Sequence, residues 1–294
     1  MGDAEVSARV RYVNDSWREL VGYPRIDSGE DRRANTSFHD VQVRDARPLH
    51  ARGELDLDSN GFVLERHETG VSDFSDRRQI ETTYFDELCE VVHSLTGAAA
   101  VFAAHHVSRA EEQSYWADAY SRFVHLDYSE DLGKEWAYYT QKLDSLAEVV
   151  ETTRKLMLRV GIWDASQGLL FDDPPAGPPY TLALYNCWKP IGNEVQRNPL
   201  TLVDARSVDD EDVVDFLLGG SFSALPFYRP EHRYYYFPRM QPDELLVFKQ
   251  LDTRAGAARW CPHTSFDDPG SPAAPLERRS IEVRMVAIFG SSAA

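Results

Sequence analysis

Two histidines and one aspartate have the residue types and the spacing to bind a metal ion. His125 and Asp127 form a His-x-Asp triplet, and His263 follows far along the chain. In a strand, alternate side chains point the same way, so the imidazole and carboxylate of the triplet would share one face. Two histidines and one carboxylate on one side of a metal leave open coordination positions, as is typical of non-haem Fe(II). The sequence therefore predicts His125, Asp127 and His263 as metal ligands and as the catalytic centre.

Arg284 has a side chain that is suited to bind a carboxylate. It lies in a largely apolar stretch, residues 280–289, that is typical of a buried strand. A buried arginine requires a partner, and its planar guanidinium matches a carboxylate with two parallel hydrogen bonds. The partner is either a carboxylate of the cosubstrate or an acid of the protein, such as Glu282.

Four further residues are predicted near the metal. Asn186 and Trp188 lie two positions apart on a predicted strand and therefore share a face. We expect Asn186 to donate a hydrogen bond to the cosubstrate, and Trp188 either to pack in the core or to contact substrate. Tyr128 directly follows Asp127 and, with Lys189, is predicted to contact substrate.

The elements that must position these residues change character along the chain. Apolar periodicity predicts helices over residues 78–94 and 132–160, a buried strand over 98–104, and a strand over 121–128 that runs into a loop. After about residue 180 short strands dominate, interrupted by one predicted helix over 209–218. A more helical first half followed by many short strands predicts an α+β fold, with a β-sandwich or jelly-roll (cupin-like) core and supporting helices.

Composition excludes several classes of function. The 294 residues carry a formal net charge of −17, which disfavours nucleic acid and anionic membrane surfaces as partners. No apolar run is long enough to span a bilayer. The N-terminus carries Asp3 and Glu5 and lacks the apolar core of a secretory signal, and the three cysteines form no CxxC pair. We therefore expect a cytoplasmic protein with reduced thiols that acts on a small molecule.

Several stretches together resemble one known family. The sequence is similar to the Fe(II)/2-oxoglutarate-dependent oxygenases that include gibberellin-desaturase-like proteins, fungal hydroxylase-like proteins and the cephalosporin 7α-hydroxylase component. The stretches that carry the resemblance span about residues 43–284 and include Val124-His125-Leu126-Asp127-Tyr128, Tyr185-Asn186-Cys187-Trp188-Lys189-Pro190, Pro262-His263-Thr264-Ser265-Phe266 and Ser280-Ile281-Glu282-Val283-Arg284.

The resemblance implies both a fold and an activity. The implied fold is a double-stranded β-helix, with an N-terminal extension over residues 1–40 and an oxygenase domain over 41–294 that has a helical insertion at about 131–163. The implied cofactors are Fe(II) and 2-oxoglutarate, with O2 as cosubstrate. The implied reaction is hydroxylation or desaturation of a small molecule in secondary metabolism, with Arg284 as the anchor of 2-oxoglutarate. The family usually has an arginine directly after the tryptophan that corresponds to Trp188, and this chain has Lys189 there. The run from His105 to Arg109 also differs from the family pattern.

Two alternatives remain open at this point. The first is a cupin-type metal dioxygenase or isomerase that uses no 2-oxoglutarate. It predicts that the activity does not depend on 2-oxoglutarate. The second is a metal-free β-sandwich binding protein, and it predicts that His125, Asp127 and His263 do not converge.

Overall fold

A computed structural model describes residues 4–19, 25–26, 28–110, 123–159, 169–171, 177–218 and 221–291. The helices are α1 (Gly29–Asn35), α2 (Arg47–Ala51), α3 (Arg77–Gln79), α4 (Phe85–Thr96), α5 (Glu130–Thr140) and α6 (Leu146–Arg159). The strands are β1 (Glu5–Val13), β2 (Arg25–Ile26), β3 (Thr36–Asp45), β4 (Phe62–Arg66), β5 (Ala100–Ala110), β6 (Leu169–Phe171), β7 (Gly177–Pro190), β8 (Leu200–Val203), β9 (Val213–Leu218), β10 (Ser221–Pro226), β11 (Tyr234–Tyr236), β12 (Glu244–Asp252), β13 (His263–Ser265) and β14 (Arg279–Ser291).

Two large sheets form the body of the protein. The first has six strands in the order β4-β12-β7-β14-β5-β6, all antiparallel to their neighbours. The second has five strands in the order β1-β3-β11-β8-β13, and β10, β9 and β2 form a third, smaller sheet. The α+β class and the sheet-rich core are as the sequence predicted.

The first half of β14, a central strand of the six-stranded sheet, has one apolar face and one polar face. Ile281, Val283 and Met285 pack in one core cluster with Leu88 and Val92 of α4. Because side chains alternate along a strand, the intervening polar residues Ser280, Glu282 and Arg284 lie on the opposite face. That polar face is where the predicted cosubstrate anchor lies.

The first predicted helix is confirmed, and it is longer than expected. A continuous helical stretch runs from α3 through a π-helical turn, Ile80–Tyr84, into α4. It ends at Gly97, which has a left-handed backbone conformation with a φ of 61°. The predicted strand over 98–104 is β5, and no helix in the described part of the chain is long and apolar enough to cross a membrane.

The predicted helix over residues 132–160 is wrong as a single element, because the chain forms α5 and α6 with a break between them. The Ser145 hydroxyl accepts from the backbone N–H of Glu148 at 3.2 Å, and it donates to that residue's carboxylate at 2.8 Å. Such a pairing of serine with a glutamate three residues later starts a helix. The Ser-x-x-Glu pattern was therefore the signal for a new helix, and Val160 lies outside the described residues.

The predicted helix over residues 209–218 is also wrong. A single 3-10 turn, Asp210–Asp212, leads into strand β9, which pairs with β10 over six residues. The β-branched pair Val213 and Val214 favours a strand, and pairing with a neighbouring strand decides such short segments.

The first residues of the chain are part of the second sheet. Strand β1 pairs with β3 in an antiparallel register from Glu5 opposite Arg44 to Val13 opposite Thr36. The division into an extension over 1–40 and a domain over 41–294 remains a prediction, and β1 of that extension is an edge strand of the main body.

Gly61 allows two backbone segments to approach each other beside the predicted metal site. Its φ is 85°, and a Cβ added there would lie 2.9 Å from the Cβ of Cys261. Its carbonyl accepts from the backbone N–H of Lys249 at 2.8 Å. Cys261 precedes His263 by two residues, so this contact fixes the entry to β13.

We therefore expect Gly61→Ala to destabilise the protein more than Gly53→Ala. Both glycines have a positive φ, but Gly53 has no atom within 4 Å of an added Cβ. Strain at positive φ costs about 1 kcal/mol, and forced overpacking adds about 1–3 kcal/mol. The free energy of unfolding, measured by denaturant titration, should fall by about 1 kcal/mol for Gly53→Ala and by about 2–4 kcal/mol for Gly61→Ala. Equal losses would show that the contact with Cys261 is not tight.

Candidate active site

The backbone places the two predicted histidine ligands opposite each other. His125 and His263 form an isolated antiparallel bridge, with N–H to carbonyl distances of 3.1 and 3.0 Å. Residues opposed in this way project to the same side, and the two imidazole ring centres lie 4.3 Å apart. Asp127 follows two residues after His125, with one carboxylate oxygen, Oδ1, 3.9 Å from His125 Nε2. One ligand atom from each of the three residues lies within 4.8 Å of the others.

The histidines are in the protonation state that binds metal. His125 Nδ1 lies 2.9 Å from the carbonyl of Phe123, which only accepts, so Nδ1 carries the hydrogen and Nε2 keeps a lone pair. His263 Nδ1 is buried and has no hydrogen-bond partner within the described ranges. Burial lowers the pKa of both imidazoles, and the charge of His125 lowers the pKa of His263 further. Neutral imidazoles are the form that coordinates metal ions.

Asp127 is held on three sides. Its Oδ1 accepts from Arg284 Nη2 at 2.8 Å, and its Oδ2 accepts from Asn186 Nδ2 at 2.6 Å. Its backbone N–H donates to the side-chain oxygen of Gln250 at 2.9 Å. The position and the rotation of this carboxylate are therefore fixed by residues of β14, β7 and β12.

Asp127 is ionised despite its burial. Burial alone would raise its pKa, but the charges of Arg284, His263 and His125 and the hydrogen bond from Asn186 outweigh that effect and lower it well below the ordinary value. Two neutral imidazole nitrogens and one carboxylate oxygen, all directed to one small space, are a donor set that suits Fe(II). The site residues present here fit that ion.

The two predicted cosubstrate contacts both touch the metal-binding carboxylate. Arg284 and Asn186 each donate to Asp127, so the structure brings them to the site, and a contact of either with cosubstrate remains a prediction. Arg284 Nε is buried and has no hydrogen-bond partner among the residues described. This guanidinium therefore keeps a donor that is not used by Asp127.

A narrow cavity of about 20 Å³ adjoins the three ligands. Its further walls are Arg109, Trp188, Leu200, Ser265, Arg278 and Glu282. The guanidinium of Arg278 lies 5.5 Å from the ring centre of Trp188 and donates to the carbonyl of Asn198. Two arginines besides Arg284 therefore give this cavity a cationic wall.

The three residues predicted to contact substrate lie in different places relative to the cavity. Trp188 lines the cavity. Tyr128 is buried, and its ring centre lies 5.7 Å from the guanidinium carbon of Arg284. The structure does not bring Lys189 to the cavity, because its amine donates to the carbonyl of His67 at 3.1 Å. Strand alternation places Lys189 on the face of β7 opposite to Trp188, so its contact with substrate remains a prediction without support from this geometry.

Sequence reasoning missed Gln250 as a residue that supports the site. It is fully buried on β12, and its amide Nε2 donates to the carbonyl of Lys249 at 3.1 Å. Its oxygen therefore faces the backbone of Asp127. The available signal was a polar amide two residues after the apolar run Leu245–Phe248 of β12, because buried amides require partners.

Glu282 was considered only as an ion-pair partner, and it lies in the cavity wall. Its carboxylate is 4.0 Å from Arg284 Nε, beyond hydrogen-bond distance. Burial, followed by the charge of Asp127, raises the pKa of Glu282 to about 7, against the opposing effect of the neighbouring arginines. The alternation of Ser280, Glu282 and Arg284 along β14 was the signal that all three share the cavity face.

Comparison with solved structures shows which fold this is. The structure of the iron and alpha-ketoglutarate-dependent endoperoxidase NvfI matches with a TM-score of 0.73 at 20% sequence identity, over 99% of this chain and 100% of that chain. This likeness confirms the predicted double-stranded β-helix core. The fold is therefore a double-stranded β-helix, and its candidate site brings two histidines and one carboxylate within reach of a single metal ion.

The family follows from the sequence comparisons. A family model described as "Oxidoreductase/YMDC permease-like domain" matches residues 11–176 and 180–288, and the chain belongs to this family. It is 27% identical over 280 residues to the alpha-ketoglutarate-dependent dioxygenase phiK of Fungal sp., covering 87% of this chain and 86% of that protein. It is 29% identical over 275 residues to the hydroxylase/desaturase efuI of Hormonema carpetanum, covering 85% of this chain and 83% of that protein. Because alpha-ketoglutarate is 2-oxoglutarate, these relatives confirm the resemblance to Fe(II)/2-oxoglutarate oxygenases.

We expect Gln250→Leu to weaken metal binding by about 10–100-fold, the usual effect of losing a residue that orients a ligand. The substitution leaves the buried N–H of Asp127 without an acceptor. The measurement is the dissociation constant of Co(II), from its visible spectrum, with a thermal melt to establish that the variant is folded. Gln250→Glu is the matched control, because it keeps an oxygen acceptor and should bind Co(II) nearly as the parent does. A folded Gln250→Leu variant with unchanged affinity would contradict the role.

We expect Glu282→Gln to change how stability depends on pH in protein treated with a chelator. The folded-state pKa of about 7 exceeds the ordinary value of 4.5, so the folded state binds this proton more tightly than the unfolded state. Stability is therefore lost as pH rises between those two values. The free energy of unfolding of the variant, relative to the parent, should increase across that window. Parallel profiles for the two proteins would show that Glu282 does not titrate as described.

Proposed function

We propose that this protein is a non-haem Fe(II)/2-oxoglutarate-dependent oxygenase that hydroxylates or desaturates a C–H bond of a small molecule in secondary metabolism. The observation that carries the proposal is the convergence of His125, Asp127 and His263 beside a cavity walled by arginines. The names of the relatives phiK and efuI support it. The metal-free alternative predicted that the three residues would lie apart, and they lie together.

Each residue of the site has a defined task under this proposal. His125, through Nε2, together with Asp127 and His263 holds the metal from one side, so that the other side stays open. Asn186 and Gln250 keep the carboxylate of Asp127 in one orientation. When bound, Fe(II) and 2-oxoglutarate supply, with O2, the oxidising power that the side chains lack.

Arg284 is the proposed anchor for the far carboxylate of 2-oxoglutarate. Its unused Nε donor and its position on the cavity face of β14 support this assignment. Arg278 is the second candidate, because it lines the cavity directly. Ser280 lies two residues later, and its buried hydroxyl has no partner in the part of the chain that is described. An arginine with a nearby hydroxyl is a suitable binding pair for a carboxylate.

Apolar and aromatic walls limit access of water to the site. Phe248 meets the ring of His263 edge-on at 4.8 Å between ring centres, and Trp188 and Leu200 line the cavity. Exclusion of water strengthens the electrostatic contacts within a site and protects reactive species.

We further propose the cytoplasm as the location of the protein. Cys89, Cys187 and Cys261 are all free and buried, as is usual in a reducing compartment.

The test of function is the visible spectrum of anaerobic protein mixed with Fe(II) and 2-oxoglutarate, followed by an assay for succinate in air. We expect a weak absorption band at about 500 nm, as for a cosubstrate chelated at an open iron site. His263→Ala leaves two of the three ligands, so it should abolish the band and weaken the binding of iron. Iron binding without a band or succinate would favour the cupin-type alternative, and failure to bind iron would favour a binding protein.

The same band distinguishes the two candidate anchors. With Fe(II) at saturation, Arg284→Gln should weaken 2-oxoglutarate binding by at least about tenfold, the usual loss for a charged hydrogen-bonded pair. Arg278→Gln should have a smaller effect, and Arg259→Gln, a surface change away from the cavity, should have none. A larger loss in Arg278→Gln than in Arg284→Gln would reassign the anchor to Arg278.

A further inference from the structure

Glu282 is a nearly buried carboxylate that faces the active-site cavity, and no described residue donates a hydrogen bond to it. It is 7% exposed and lines the cavity with His125, Asp127 and His263. Across the described ranges its nearest cationic atom is Arg284 Nε at 4.0 Å, and no hydrogen bond reaches it. Native proteins pair nearly all buried polar side chains, so such a group points to a partner from outside the chain.

The hydrogen bonds that two of the neighbouring arginines donate go to acceptors other than Glu282. Arg284 donates through Nη2 to Asp127, and Arg278 donates to the carbonyl of Asn198. Burial raises the pKa of Glu282, and the neighbouring arginines offset that effect only in part, since the nearest of them, Arg284 Nε, lies beyond hydrogen-bond distance. A ligand that enters the cavity with a donor would satisfy this carboxylate.

The chemistry of the cavity limits which kind of ligand can bind beside Glu282. The metal-binding group consists of His125, Asp127 and His263 and does not include Glu282. A carboxylate of 2-oxoglutarate can accept from the arginines of the cavity wall, but it has no donor to offer Glu282. A hydroxyl or an ammonium group is attracted, because each donates to a carboxylate.

We propose that Glu282 forms a substrate subsite that binds a hydroxyl or ammonium group of the small molecule and so positions its reacting C–H bond near the metal. The inference rests on the proposed oxygenase function. Trp188 lies opposite Glu282 in the pairing of β7 with β14, and it adds an apolar surface beside the carboxylate. The subsite therefore selects a donor group carried on an apolar skeleton.

The test uses small fluorinated probes, because the cavity is narrow. Trifluoropropylamine, trifluoropropanol and the methyl ether of that alcohol share one skeleton, and only the first two donate hydrogen bonds. Mn(II) bound at the three ligands broadens the fluorine NMR signal of any probe held beside it. We expect the amine and the alcohol to be broadened about tenfold more than the ether, as for a hydrogen bond to a charged group.

Variants assign this preference to one carboxylate. Glu282→Gln keeps the size of the side chain and removes the charge, so it should reduce the broadening of the amine by about tenfold and leave that of the ether unchanged. Glu282→Leu should remove the preference for both donors. Glu65→Gln is the matched control, since Glu65 is a half-buried glutamate on β4 that does not line the cavity, and it should behave as the parent does.

The outcomes separate this inference from the proposed function. If Mn(II) fails to bind the parent protein, the oxygenase proposal fails first. If Mn(II) binds and the three probes are broadened alike in the parent and in Glu282→Gln, the subsite is wrong and water is the partner of Glu282. If Glu282→Gln changes Mn(II) affinity without changing the preference among probes, Glu282 only orients Arg284 and the subsite is again wrong.

Discussion

The ionised carboxylate of Asp127 is the constraint on which the rest of the site depends. A buried charge of this kind is unfavourable unless it is paired and hydrogen-bonded. Arg284 and Asn186 of the six-stranded sheet supply the donors, while His125 and His263 approach from the other side of the cavity. Compensation of one charge therefore holds together segments that are distant in sequence, and it orients the carboxylate that we propose as a metal ligand.

Ordinary sheet geometry creates the rest of the arrangement. Alternation along β14 sends Ile281 and Val283 into the core beneath α4 and leaves Glu282 and Arg284 on the cavity face. The same face is apolar further along β14, where Val286 and Ile288 join a second core cluster, so the polar positions are confined to the cavity. The chemistry is then set by a few polar positions, and the many apolar ones hold the fold.

Local sequence rules predicted the first long helix and pointed to the His-x-Asp triplet as half of a candidate metal site, because both depend on neighbours in the chain. The triplet ending at Asp127 and the lone arginine at position 284 were sufficient to indicate a site. The contact between those two residues was not predictable, since they are 157 positions apart and meet only through sheet pairing. The helix break at Ser145 had a readable capping signal, whereas β9 is a strand because β10 pairs with it. Alternation alone would have placed Lys189 away from Trp188.

The central claim is that two imidazoles and one carboxylate bind a single metal ion. X-ray absorption at the iron edge of Fe(II)-loaded protein tests it most directly. We predict one iron per chain with scattering from two imidazole rings, and loss of one ring in His263→Gln protein that is shown to be folded. Iron without imidazole scattering, or the same spectrum in the parent and the variant, would contradict the account.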